Sequence, residues 1–203
     1  MKLLDKQLLN MGNVEVFLEP FPYSICSQIF SNDLSEEILS WLENDAIWKL
    51  VETDFYEQYE FSFFDINLPN QLEFLTSSEH LSHIKSIIEN LFSVKLTNRI
   101  DLTAHKLISG QRIRIHNDYI PNGETHRLLI QLNRGWQDEN GGMLILFNSE
   151  NPSDIHKIIR PFHNSSVGFA ISSMSHHAVS TIHSGERFTL VYSFYQNQDE
   201  QSQ

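Results

Sequence analysis

"HRLLIQLNRGWQDENGGMLILF", residues 126–147, decides the fold. Two short apolar runs, 128–132 and 143–147, are divided by a polar stretch that ends in Asn140-Gly141-Gly142. Runs of this length, bounded by turn residues, read as strands. The same texture recurs on both sides, in "IDLTAHKLISG" (100–110), "QRIRIHND" (111–118), "SSVGFAIS" (165–172) and "ERFTLVYSFY" (186–195). Further turn signals stand at Ser109-Gly110, Pro121-Asn122-Gly123 and Ser184-Gly185. They divide the strands too closely for helical crossovers, which favours a jelly roll or barrel over a parallel α/β sheet.

Upstream the pattern is mixed. Residues 33–44 carry Asp33 with Glu36 three places later, a capping-box-like start, then Leu34, Ile38, Trp41 and Leu42 at helical spacing. A second helix is predicted from about Thr76 to Phe92, with Leu81, Ile84, Ile88 and Leu91 as its apolar stripe. Between the helices, residues 50–69 are dense in aromatics and acids and alternate as strands or a hairpin do; part of this segment, 50–64, is a candidate wall of a substrate groove. The whole reads as α+β, mainly β, and as one domain over 1–203. Residues 1–94 supply flanking helices and strands, 95–196 the β core, and 197–203 a polar, disordered tail.

Composition narrows the function classes. The chain has 203 residues and a net charge of −12, which repels a phosphate backbone, so nucleic acid is not an expected partner. No apolar run approaches the ~20 residues that cross a bilayer, so no membrane partner is expected. The N-terminal stretch offers no small-residue cleavage site, and Cys26 is the single cysteine, expected as a buried structural thiol; together they fit a cytoplasmic location.

"RIRIHNDYIP" places His116 and Asp118 two apart at the end of a strand-like run. Alternate strand residues share a face, so both side chains are expected to reach one ion. A histidine and a carboxylate joined by a distant histidine make the facial triad that suits non-haem Fe(II) and leaves coordination positions open. With ten histidines in the chain the pair alone is a weak signal, and context carries the assignment.

That context is His116-Asn117-Asp118, Leu132-Asn133, Trp136, Gly141-Gly142-Met143-Leu144, His177-Ala178-Val179 and Gly185-Glu186-Arg187. In this order the elements resemble the prolyl-4-hydroxylase-like branch of the Fe(II)/2-oxoglutarate-dependent dioxygenases, over roughly half of the chain. The resemblance implies a double-stranded β-helix, cupin-like, with supporting N-terminal helices and iron at its open end. It also implies Fe(II) as cofactor, 2-oxoglutarate and O2 as co-substrates, and ascorbate as a reductant. "SHHAVSTIHSGERF" (175–188) offers three histidines for the distal ligand. His177 fits His-x-Val and stands ten residues before Arg187, so the ligand set is His116, Asp118 and His177, with His176 and His183 as bystanders.

By the same resemblance Arg187 grips the far carboxylate of 2-oxoglutarate through a planar guanidinium, and Thr189, on the same strand face, is a candidate donor. Two departures stand out. Gln131 occupies the place of a tyrosine before Leu-Asn, and Lys106 that of an upstream tyrosine, so both are candidate co-substrate contacts. Asp118 keeps the carboxylate that related halogenases replace with a small residue, which favours hydroxylation of an unactivated C–H bond. The expected substrate is a peptide or protein side chain, with a free amino acid or small natural product as the alternative and a non-catalytic metal-binding protein as a third reading. Tyr119, Glu124 and Arg127, in the loop after the dyad, are candidate substrate contacts. Oligomeric state is not legible.

Overall fold

A computed structural model describes residues 13–196. The tail expected to be disordered, 197–203, and most of the N-terminal stretch read for a signal lie outside the described residues. Among the described residues, twelve strands form two antiparallel sheets. In chain order they are β1 (Val14–Phe17), β2 (Tyr23–Cys26), β3 (Lys49–Glu52), β4 (Glu57–Ser62), β5 (Leu96–Ile108) and β6 (Ile113–His116). They continue with β7 (His126–Gln131), β8 (Leu144–Phe147), β9 (Ile155–Ile159), β10 (Ser165–Ala170), β11 (His177–Val179) and β12 (Glu186–Gln196). The major sheet runs β1-β2-β10-β7-β12-β5-β4-β3 and the minor sheet β6-β11-β8-β9. This is the double-stranded β-helix, and the turn signals at 109–110, 121–123, 140–142 and 184–185 all fall between strands.

The N-terminal strands are not a separate layer. β1 and β2 extend the major sheet at one edge and β3 and β4 at the other, so the sheet reaches well beyond the 95–196 core read from sequence. The helices α1 (Asn32–Asn44) and α2 (Ser78–Phe92) match expectation within a few residues. The cap of α1 is Ser31 rather than Asp33: its hydroxyl accepts from Leu34 N at 3.3 Å, leaving Asp33 in the first turn. A 3-10 turn over Glu73–Thr76 displaces the start of α2, which Ser77 caps by accepting from His80 N.

Two cores explain the strand sequences. One lies between the helices and the outer face of the major sheet, with Ile38, Leu42, Ile84 and Ile88 packed with Leu128, Ile130, Leu190 and Tyr192. The other lies between the two sheets, where Leu129, Val191 and Phe169 meet Leu144, Leu146, Val179 and Ile182. The central strands are thus covered on both faces, which is why "RLLIQLN" and "RFTLVYSFY" read as nearly continuous apolar runs. Residues alternate between the cores. On β7 the inner face carries Arg127, Leu129 and Gln131, and on β12 Arg187, Thr189 and Val191. These polar interruptions define the site. Cys26 is buried, as expected.

Candidate metal and co-substrate site

His116, Asp118 and His177 converge between the sheets, with one ligand atom from each lying within 4.8 Å of the others. His177 is the cross-strand partner of His116 in the minor sheet, which brings the rings to 4.2 Å between centroids. His177 Nε2 is 3.1 Å from Asp118 Oδ2, and His116 Nε2 is 3.4 Å from Asp118 Oδ1. Donor atoms that share a metal at about 2.0–2.2 Å stand roughly 3 Å apart, so the group fits a metal ion.

The tautomers are set by backbone carbonyls two residues back. His116 Nδ1 donates to Arg114 O at 2.8 Å and His177 Nδ1 donates to Ser175 O at 2.7 Å. A carbonyl only accepts, so each Nδ1 carries the proton, and in the neutral ring the Nε2 lone pair faces the cavity. Burial lowers the pKa of His177, which favours that neutral, ligating form. Burial pushes the Asp118 carboxyl up, but the Arg127 guanidinium, first among the groups that oppose it, and the two facing histidine rings outweigh it, and Asp118 is held well below the usual carboxylate range.

One premise of the sequence reading fails. β6 ends at His116, and Asp118 lies beyond it at φ 58°, in left-handed backbone. The two side chains meet because the chain turns back at Asp118, not because they alternate along a strand. His177 is buried while His176 lines the outer cleft, and His183 sits on the loop after β11 with its N–H bonded to Asn140 O. Neither bystander joins the metal group.

The metal group lines an inner cavity of about 280 Å³, which Arg187, Thr189, Leu129, Leu144 and Val191 also line. Arg187 is buried at 3% exposure, and its Nη1 donates to Thr189 Oγ1 at 2.9 Å, while Thr189 donates onward to Gln131 Oε1 at 3.1 Å. Among the described residues its Nε and Nη2 have no hydrogen-bond partner. These two nitrogens form the side of the guanidinium that takes a carboxylate through two parallel bonds. Burial lowers the pKa of Arg187 to about 10, so it stays charged at neutral pH. A buried, half-satisfied cation beside a cavity fits a carboxylate ligand. Thr189 and Gln131 support Arg187, and the hydroxyl proton of Thr189 is already committed to Gln131.

Lys106 does not reach this cavity. It pairs with Phe188 in the β5–β12 register and points to the other face, where its Nζ lies 3.5 Å from Glu186 and about 5 Å from the Trp48 and Tyr59 rings. Strand alternation gives the cavity position to His105, opposite Thr189. Burial, then the charges of Arg127 and Arg187, lower the His105 pKa to about 3, so it is a neutral group. The identity of the inward-facing residue depends on the β5–β12 register, which a shift of one residue reverses.

The Gly141-Gly142 pair also gains a reason. A Cβ on Gly142 would stand 2.6 Å from Ile182 Cδ1 and 3.0 Å from Arg187 Cδ, and one on Gly141 would meet Thr181 O. Only glycines let the loop pass this close beneath Arg187.

An outer cleft of about 1050 Å³ opens beside His116 and Asp118, bordered by Phe55, Tyr119, Glu150, His176 and Tyr195. The 50–64 segment forms the β3–β4 hairpin, whose turn lies against β6: Arg114 N donates to Phe55 O, and the Phe55 ring is 4.9 Å from that of His116. Tyr119 is half exposed in the cleft. Glu124 and Arg127 also border it but are bonded to each other, Arg127 donating to both Glu124 oxygens.

Residues 102–195 match the family described as the 2OG-Fe(II) oxygenase superfamily. The chain carries a 2OG-Fe(II) oxygenase domain. Fe(II), 2-oxoglutarate and O2 are therefore the cofactor and co-substrates of the oxygenase, in keeping with a His-Asp-His group that fits a metal. No curated protein matches the oxygenase in sequence. Among solved structures, a prolyl-4-hydroxylase from Pseudomonas putida is similar with a TM-score of 0.71 at 17% identity, over 86% of this chain and 92% of that one. A prolyl hydroxylase from Trichoplax adhaerens, in complex with a hypoxia inducible factor oxygen degradation domain peptide fragment, gives 0.67 at 14%, over 89% and 87%. A viral collagen prolyl hydroxylase from Paramecium Bursaria Chlorella virus-1, in complex with 2OG, gives 0.60 at 15%, over 86% and 96%. At these identities the likeness is one of fold.

Proposed function

We propose that the oxygenase hydroxylates an unactivated C–H bond on a side chain of a peptide or protein. The observation that carries this reading is the outer cleft of about 1050 Å³ beside the metal group, which is larger than a free amino acid needs and open enough for an extended segment. The peptide bound to the Trichoplax relative supports it.

In this reading His116 and His177, as neutral imidazoles, and Asp118, as a carboxylate, hold Fe(II). Arg187 takes the far carboxylate of 2-oxoglutarate on its unpartnered Nε and Nη2, with Thr189 fixing Nη1. Held there with 2-oxoglutarate and O2, Fe(II) would supply the oxidising power to hydroxylate an unactivated C–H bond, with succinate and carbon dioxide as the co-products. The remaining work belongs to the chain. Leu129, Leu144 and Val191 keep the middle of the inner cavity apolar and exclude water. Phe55, packed against His116, and half-exposed Tyr119 border the approach to the metal group.

The test is mass spectrometry after incubating the protein with Fe(II), 2-oxoglutarate, ascorbate and a cell extract separated into protein and small-molecule fractions. A +16 Da product confined to the protein fraction, absent with His116→Ala, is expected. A product found in the small-molecule fraction alone overturns the peptide reading, and oxygen-dependent succinate production that survives His116→Ala overturns the ligand assignment.

A further inference from the structure

The three candidate ligands are fixed in different ways. His116 and His177 are cross-strand partners, each anchored through Nδ1 to a carbonyl of its own chain segment. Asp118 stands outside the strand in left-handed backbone, with no ladder to hold it. Its side chain is held by Arg127, whose Nη1 donates to Oδ2 at 2.5 Å.

Arg127 is itself immobilised. It is the second residue of β7, where it pairs with Phe169 on one side and Ser193 on the other, in the middle of the major sheet. Its Nε donates to Glu124 Oε1 at 2.9 Å and its Nη2 to Glu124 Oε2 at 2.6 Å. The Arg127, Asp118 and Glu124 side chains are 18%, 14% and 12% exposed. Charges withdrawn this far from water persist when paired and hydrogen-bonded. Glu124 cancels the charge of Arg127, which leaves the negative charge of Asp118 for a cation.

We propose that Arg127 is a positioning residue for the metal centre: it holds one oxygen of Asp118, Glu124 holds Arg127, and the carboxylate is thereby restricted to one-oxygen ligation. This rests on the reading that His116, Asp118 and His177 bind Fe(II). The physical consequence concerns coordination positions. A released Asp118 is free to chelate through both oxygens, and an unpaired Glu124 is free to turn towards the ion; either uses a position that 2-oxoglutarate needs. All three Arg127 nitrogens are committed inside the protein, so this role, rather than substrate contact, accounts for a buried guanidinium here.

The test is an anaerobic titration of Fe(II)-loaded protein with 2-oxoglutarate, followed by visible charge-transfer absorption, with Co(II) absorption as an independent report of the ligand set. Wild type, Arg127→Met, Arg127→Lys, Glu124→Gln and His177→Ala are compared. For Arg127→Met we expect metal to bind, half-saturation to require about tenfold or more 2-oxoglutarate, and the band to move to longer wavelength as Asp118 becomes a stronger donor. Arg127→Lys restores part of both. Unchanged half-saturation and band position in Arg127→Met overturn the proposal. Where Arg127→Met does not fold, Glu124→Gln decides: a shift in the same direction of about threefold supports it, and wild-type values overturn it. A wild type without the band, or His177→Ala equal to wild type, removes the ligand reading and the proposal with it.

Discussion

The inner cavity has two ends with opposite states of satisfaction. At the metal end each polar group has a partner from the chain: the histidine Nδ1 atoms bond to carbonyls and Asp118 accepts from Arg127. At the co-substrate end Arg187 is as deeply buried as His177, yet among the described residues its Nε and Nη2 are unpartnered. Along β7 the two ends, Arg127 and Gln131, are four residues or roughly 13 Å apart, with Leu129 between them. The difference teaches how the two sites are prepared. The metal end is organised by the fold before any ion arrives, whereas the other end holds an unmet demand of the kind a carboxylate answers.

The largest way to break this contrast is to remove a ligand. His177→Ala is expected to abolish Fe(II)-dependent succinate formation by more than about 100-fold, since outer partners of ligands alone cost 10–100-fold; a titration with Co(II) checks the loss of binding. Next come the two arginines, where the same substitution should have opposite signs in stability. Arg127→Met leaves two buried carboxylates unpaired and is expected to destabilise the metal-free protein by about 3–5 kcal/mol. Arg187→Met removes a half-satisfied cation and is expected to stabilise it by about 1–3 kcal/mol, while 2-oxoglutarate affinity falls about 100-fold. Urea unfolding and co-substrate titration read both, and stability changes of equal sign at the two arginines would erase the contrast.

The buried histidines make a third test. Burial lowers the pKa of His105 to about 3 and of His80 and His126 to about 4, from an ordinary 6.5. Below 6.5 the unfolded chain takes up protons that the folded chain refuses. Stability contributed by these groups is therefore full above pH 6.5 and is lost as pH falls towards 4, with a slope of up to about 4 kcal/mol per pH unit from three sites. His105→Asn should remove about a third of that slope, measured by urea unfolding at pH 5 and pH 7. Smaller still, Gly142→Ala pushes on Ile182 and Arg187 and requires an alanine at φ 66°; about 1–3 kcal/mol of stability and several-fold co-substrate affinity should go. Smallest is Lys106→Ala, whose side chain faces away from the cavity. Co-substrate affinity within about twofold of wild type is expected, and a larger loss would mean that Lys106 turns inward on binding.

Much of the molecule was legible in local patterns. Alternation and turn residues located β5, β6, β7, β8, β10 and β12, because a strand covered on both faces writes its burial directly into its composition. β1, β2 and β9 were missed: they are four or five residues long, the side chains of β1 and β9 are partly exposed, and β2, though mostly buried, is too short to show a period. The choice of His177 over His176 and His183 came from the family resemblance and agrees with the burial of His177 in the structure.

By itself the sequence determined the β texture of 95–196 and the two amphipathic helices, since each depends on residues near one another in the chain, while the candidate metal and co-substrate side chains came from the family resemblance. Only the tertiary structure decided the rest: that Asp118 reaches the histidines by a left-handed turn, that His105 and not Lys106 faces the cavity, and that Arg127 and Glu124 serve Asp118. Those outcomes hang on strand register and loop closure, which join residues far apart in sequence; a shift of one residue along β5 would turn Lys106 inward in place of His105.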